Sequence, residues 1–227
     1  MIMIGFFDSG KGGLTTLAQC IKDGVRCEMA YYADYENAPF GDKTKSELSA
    51  IASECLKKLK SIGADECVSA CNTLSLACSF DQKTVFGLRI PFELVDDYST
   101  CLFLGTAYSV SALPKWFFQM GGKAKALTNL ATLVDEGNQN RIQEYLENNL
   151  TEKCKTVIVG CTHFVFCKNE IKRLLGAKKA LTVNEGISKR LRKTKNERTV
   201  VYLQKEKAED YASALYSLGV SASLKTY

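Results

Sequence analysis

Cys67-Val68-Ser69-Ala70 runs without a break into Cys71-Asn72-Thr73, and 90 residues later Thr156-Val157-Ile158-Val159-Gly160 runs into Cys161-Thr162-His163. Each is a short apolar run ended by a loop of small polar residues. Such runs, bounded by helical patterns, read as strands of a parallel sheet covered on both faces. The same pattern recurs at residues 3–7, 27–33, 101–104, 124–128, 180–183 and 200–203. Between the runs lie helical patterns. The clearest covers about 45–62, where Leu48, Ile51, Ala52, Cys55, Leu56 and Leu59 form one apolar stripe. Others cover about 139–150, with Ile142, Tyr145 and Leu146 inward, and about 206–218, stopped by Gly219. A helix is also expected from near Leu14. Alternating strands and helices define an α/β protein with open parallel sheets.

The 227 residues are 46% hydrophobic and 24% charged, enough to bury a core and too apolar for a disordered chain. Thirty Lys and Arg against 25 Asp and Glu give a net charge of +5, too weak a bias to imply a nucleic-acid partner. Residues 168–198 concentrate eleven Lys/Arg against three Asp/Glu. Without interleaved aromatics this stretch reads as a solvated face rather than a nucleic-acid patch. No apolar run approaches the roughly 20 residues of a membrane span. The apolar start is cut short by Asp8 and lacks a basic flank, so no secretory leader is expected. The ten cysteines are then expected to be reduced thiols in a cytoplasm. They form no Cys-x-x-Cys pair and the only histidine is His163, so no metal site is expected. Most of the cysteines, Cys55 among them, read as small core hydrophobes.

In open parallel sheets, ligands bind beyond the carboxyl ends of the strands. After the first strand comes Asp8-Ser9-Gly10-Lys11-Gly12-Gly13, a glycine-rich turn whose backbone N–H groups could hold an anion. It is not a nucleotide loop, because Gly12 stands where a P-loop needs Ser or Thr. The two cysteine loops are built alike, and each offers a thiol at the mouth of a sheet. Two such thiols can flank one ligand. That geometry suits racemisation, which removes a proton from one face of a carbon and returns one to the other. With each sulfur roughly 3–3.5 Å from the reacting carbon, the two are about 6–7 Å apart, too far for a disulfide. One must be a thiolate, and a free cysteine with a pKa of about 8.5 needs help to ionise at neutral pH. Asp8 and His163 are the candidate assistants.

These pieces resemble the glutamate racemase family, within the aspartate/glutamate racemases. The resemblance rests on Phe7-Asp8-Ser9-Gly10 with Gly12-Gly13, Ala38-Pro39-Phe40-Gly41, Ala70-Cys71-Asn72-Thr73 and Gly160-Cys161-Thr162-His163. Weaker matches are Gly105-Thr106-Ala107, 133–137 and Asn184-Glu185-Gly186. It implies two similar doubly wound domains facing each other across a central cleft, 1–90 with 185–227 and 91–184. It further implies cofactor-independent exchange of L- and D-glutamate for peptidoglycan, in the cytoplasm and often as a homodimer. Cys71 and Cys161 would be the proton carriers, acting on the D- and L-enantiomers, with Asp8 serving Cys71 and His163 serving Cys161. Ser9, Phe40, Gly41, Asn72, Thr73 and Thr162 would line the substrate, with Pro39 and Glu136 as further candidates. Phe40 replaces the family's usual Tyr, and Phe164-Val165 its usual Tyr-Pro, each lost polar contact being worth about 0.5–1.5 kcal/mol. An aspartate or other amino-acid racemase of the superfamily, or a non-catalytic binding or regulatory relative, is the alternative.

Overall fold

A computed structural model describes residues 2–191 and 199–227. Residues 192–198 of the basic stretch therefore lie outside the described residues. In chain order the elements are β1 (Met3–Asp8), α1 (Leu14–Lys22), β2 (Glu28–Ala33), α2 (Lys45–Ser61), β3 (Glu66–Ser69), α3 (Asn72–Ala77) and β4 (Val85–Gly87). There follow β5 (Cys101–Gly105), α4 (Ala107–Ser111), α5 (Lys115–Gln119), β6 (Lys123–Ala126), α6 (Leu130–Glu136) and α7 (Gln139–Asn149). The last are β7 (Thr156–Val159), α8 (Lys168–Leu175), β8 (Lys179–Thr182), β9 (Val200–Leu203), α9 (Ala208–Ser217) and β10 (Ser223–Thr226).

The strands form two sheets, one ordered β10-β9-β2-β1-β3-β4 and the other β6-β5-β7-β8, every neighbouring pair parallel. The alternation of side chains along a strand explains why both faces need helices. On β1, Ile4 and Phe6 face α1 and α9 through Leu14, Leu17, Tyr211 and Leu215. Phe7 faces the other way, into the stripe of α2 formed by Leu48, Ile51, Cys55 and Leu59. Cys55 is thus core, as its place in the stripe requires. Gly5 lies under α2, where a Cβ would come within 2.9 Å of Leu59 Cδ1. In the second lobe Leu102, Leu104, Val157 and Val159 pack on α6, α7 and α8, while Phe103 and Ile158 pack on Leu113 and Phe117. Both sheets are therefore doubly wound.

The chain passes from the first sheet to the second between Gly87 and Cys101 and returns between Thr182 and Val200. Helix α2 starts where Thr44 and Glu47 form a reciprocal capping box, with Thr44 N–H donating to Glu47 Oε2 at 2.8 Å. Two strands escape a reading based on apolar runs. β4 has only three residues, and β10 is an edge strand exposed along its whole length, so its side chains carry no burial pattern. The expected strand at 124–128 is β6, shifted towards the N-terminus and alternating Lys with Ala at a sheet edge. No helix among the described residues is long and apolar enough to cross a membrane.

Leu59 is fully buried between α2 and β1. Leu59→Ala is expected to lower the unfolding free energy by about 2–5 kcal/mol in urea titrations. A loss well under 1 kcal/mol would mean that α2 does not close this face.

Candidate active site

Three strand ends converge between the lobes. β1 delivers Asp8 at its last residue, β3 leads into Cys71 just before α3, and β7 leads through Gly160 into Cys161. A short 3-10 turn, His163–Cys167, then carries the chain into α8. The two cysteines are each 7% exposed and line one cavity. Ser9, Pro39, Phe40 and Gly41 close it from one side. Asn72 and Thr73 stand beside Cys71, and Thr162 and His163 beside Cys161. Residues of both lobes line about 490 Å³ of empty space. This is a closed arrangement of the lobes.

Hydrogen bonds across the lobes hold it closed. Thr162 Oγ1 donates to Asp8 Oδ2 at 3.0 Å, and Asn72 Nδ2 donates to the carbonyl of Gly160 at 2.8 Å. Thr73 Oγ1 lies 3.1 Å from Thr106 Oγ1, which in turn donates to Ser109 Oγ at 3.0 Å. Asn72 Oδ1 is buried without a hydrogen-bond partner in the protein. An orphaned acceptor in a cavity wall is a place for a ligand's donor.

The two thiols stand in different fields. Asp8 is completely buried and accepts from Ser9 N–H at 2.7 Å and from Thr162. Burial pushes its carboxyl up, and the positive charge of His163 and hydrogen bonds from Ser9, Cys71 and Thr162 only partly oppose this. Burial also pushes the Cys71 thiol well up, and the negative charge of Asp8 adds to it. Asp8 and Cys71 therefore hold a proton between them at neutral pH. On the other side, burial favours a neutral His163, but the Asp135 carboxylate at 3.0 Å outweighs it. The hydrogen bond to Cys161 and the charge of Asp8 act the same way, so His163 sits well above the ordinary imidazole range. Asp135 is lowered in return, because His163 and Lys11 together outweigh the cost of its burial.

Asp135 is the residue that sequence reasoning missed, although it lies inside the quoted 133–137 match. Glu136 is the one carried forward, and the structure places it outside the cavity. Neighbouring positions on a helix point about 100° apart, so α6 turns Asp135 inward and Glu136 outward. Glu136 is exposed, accepts from Arg141 Nη1 at 2.7 Å, and does not line the cavity. Thr106, also within a quoted weak match, lines the cavity as well. The glycine-rich turn does hold an anion, but the anion is the protein's own: Lys11 N–H donates to Asp135 Oδ1 at 3.0 Å. Its glycines permit close approach between lobes. A methyl group on Gly12 would overlap His163 Nδ1, and one on Gly10 would overlap Asp135 Oδ2. The departures at Phe40 and Phe164 are packing positions here, 2% and 0% exposed, each within an apolar cluster. Among the described residues no cluster of His, Cys, Asp and Glu has metal-holding geometry.

Fold and site together define a two-lobed α/β protein with one thiol from each lobe facing a shared cavity. The chain is similar to glutamate racemases. A glutamate racemase of Leptospira borgpetersenii serovar Hardjo-bovis is 27% identical over 208 residues, covering 84% of this chain and 81% of that protein. One of Campylobacter concisus is 28% identical over 212 residues, covering 83% and 80%. Among solved structures, a glutamate racemase of Bacillus anthracis superposes with a TM-score of 0.76 at 21% identity, over 100% of this chain and 97% of that one. The Francisella tularensis glutamate racemase in complex with D-glutamate gives 0.76 at 20% identity, with the same coverage. At these identities the structural likeness establishes the fold. No family model matches the chain.

With a single histidine in the chain, the His163 titration can be read directly by NMR. Its midpoint is expected well above 6.5 and should fall in Asp135→Asn. Because His163 is more basic folded than unfolded, the Asp135 contact stabilises the protein fully below about pH 6.5 and fades as pH rises through the folded midpoint. The destabilisation by Asp135→Asn should therefore be larger at pH 6 than at pH 10 in thermal melts. An equal loss at both would contradict the pairing.

Proposed function

We propose that this chain is an isomerase that interconverts L- and D-glutamate by proton transfer between two thiols, without a cofactor. The single observation that carries the reading is that Cys71 and Cys161, 90 positions apart, line one small cavity from opposite lobes. The curated relatives named glutamate racemase support the substrate.

One thiolate removes the α-proton while the other thiol protonates the opposite face, so each turnover exchanges the protonation states of the two sulfurs. Cys71 acts on the D-enantiomer and Cys161 on the L-enantiomer. Asp8, hydrogen-bonded to Cys71, can take up the proton of that sulfur and return it, whereas His163, already protonated and hydrogen-bonded to Cys161, donates towards that sulfur and stabilises its negative charge when the thiolate forms. Both assistants are at least 98% buried, where fixed charges act with little screening. Asn72 Oδ1 accepts from the substrate's ammonium group. Hydrogen-bond donors at Ser9, Thr73 and Thr162, with backbone N–H groups near Phe40–Gly41, take the carboxylates and stabilise the carbanion-like transition state. The bonds of Thr162 to Asp8 and of Asn72 to Gly160 cross between the lobes at the cavity wall, so substrate entry parts them. The lobes that part are 1–90 with 185–227 and 91–184. The resemblance extends this reading to a cytoplasmic homodimer that supplies D-glutamate to peptidoglycan.

Chiral chromatography of L- and D-glutamate incubations tests the activity. Cys71→Ser and Cys161→Ser should each slow racemisation by about 10²–10⁴-fold, since a hydroxyl is a far poorer acid–base group at neutral pH. Melting temperatures should stay near the wild type. Absence of turnover with every acidic amino acid would overturn the reading, and turnover of aspartate alone would reassign the substrate.

A further inference from the structure

Tyr31 lies in β2, fully buried, and takes no part in the reaction above. Its hydroxyl donates to the carbonyl of Gly10 at 2.5 Å. It sits directly under the turn, since a Cβ on Gly13 would stand 2.8 Å from it. The ring is gripped edge-on by Tyr211 of α9, with centroids 5.3 Å apart at 90°. The backbone carbonyl of Tyr31 accepts from Tyr227 Oη at 2.8 Å. Tyr211 is itself tied down, donating to Gln204 Oε1 at 3.2 Å, and that same oxygen accepts from Ala33 N–H at 2.8 Å. Tyr31 is thus fixed from strand, helix and C-terminal segment, and its one polar atom points at the glycine-rich turn.

That turn touches both proton assistants. Ser9 N–H holds Asp8, Lys11 N–H holds Asp135, and Gly10 and Gly12 leave no room between the turn and the Asp135–His163 pair. Lys11 Nζ adds a second tie, donating to the carbonyl of Asp135 at 3.1 Å. A shift of Gly10 therefore moves the N–H that orients Asp135, and Asp135 orients His163.

We propose that Tyr31 is a positioning residue for proton transfer at Cys161: its hydroxyl pins Gly10, and through Lys11 and Asp135 the pin sets the place and charge of His163. This rests on the racemase reading and adds to it a residue some distance from the thiols. Burial, together with the nearby Asp8, pushes the phenol well up, so it remains a donor throughout the working pH range. The groups facing His163 are Asp135 from α6, Asp8 from β1 and Cys161 from the loop after β7. Of these, Asp135 and Asp8 are held by N–H groups of the turn that Tyr31 anchors.

The test compares Tyr31→Phe with Tyr211→Phe, which removes a hydroxyl from the same cluster without touching the turn. Two readouts are taken, the NMR titration of His163 and steady-state kinetics in both directions. In Tyr31→Phe the His163 midpoint is expected to fall by about half a pH unit or more. Its kcat from L-glutamate should drop about tenfold with KM within about threefold, because the geometry of an acid–base group is disturbed and not substrate binding. Tyr211→Phe should match the wild type in both. A Tyr31→Phe chain with wild-type titration and kinetics overturns the proposal. So does one that fails to fold while Tyr211→Phe folds, since the hydroxyl would then serve stability alone. A wild-type chain without racemase activity, whose histidine still shifts in Tyr31→Phe, would sink the racemase reading and leave the anchoring of His163 by Tyr31 standing.

Discussion

A carboxylate removed from water has to find its hydrogen bonds inside the protein, and Asp8 finds them in both lobes at once. Ser9 N–H comes from its own strand end, the Cys71 thiol from the loop after the neighbouring strand β3, and the Thr162 hydroxyl from across the cleft. The arrangement survives only while the lobes stay together, because parting them takes away Thr162 and opens Asp8 to solvent. Closure and the protonation of Asp8 are therefore linked by one side chain. The same side chain is bonded to one proposed proton carrier and acts electrostatically on the imidazole that serves the other.

The two sulfurs, though topologically equivalent, are electrostatically different. Cys71 shares its proton with a buried carboxylate, whereas Cys161 is bonded to an imidazole held cationic by Asp135. The environment of His163 comes from α6 through Asp135, β1 through Asp8 and the loop after β7 through Cys161, with Lys11 of the turn at 9–13 holding Asp135 in place. The glycines of that turn are needed because two lobes meet there without room for a Cβ.

Much of this was legible in the sequence wherever burial imposed a pattern. The strands that carry Asp8, Cys71 and Cys161 are buried on both faces, so they stand out as apolar runs, and the residues after them fall at the sheet mouths. β10 was not legible because every residue of this edge strand is exposed, so burial leaves no apolar run to mark it. Asp135 and Glu136 could not be ranked without the phase of α6, since two adjacent carboxylates look alike until the helix turns one inward. The purpose of Gly10 and Gly12 was also hidden. A glycine-rich turn before a helix suggests an external anion, and only the folded chain shows that the carboxylate it meets comes from residue 135.

The claim on which the account stands is that separate groups act on the two faces of the α-carbon. Racemisation of one glutamate enantiomer in deuterated water, stopped at early conversion and separated by chirality, tests it most directly. Two thiols predict deuterium in the newly formed enantiomer and almost none in the remaining starting enantiomer. Equal labelling of both would mean that a single group serves both faces, and would contradict the opposed placement of Cys71 and Cys161.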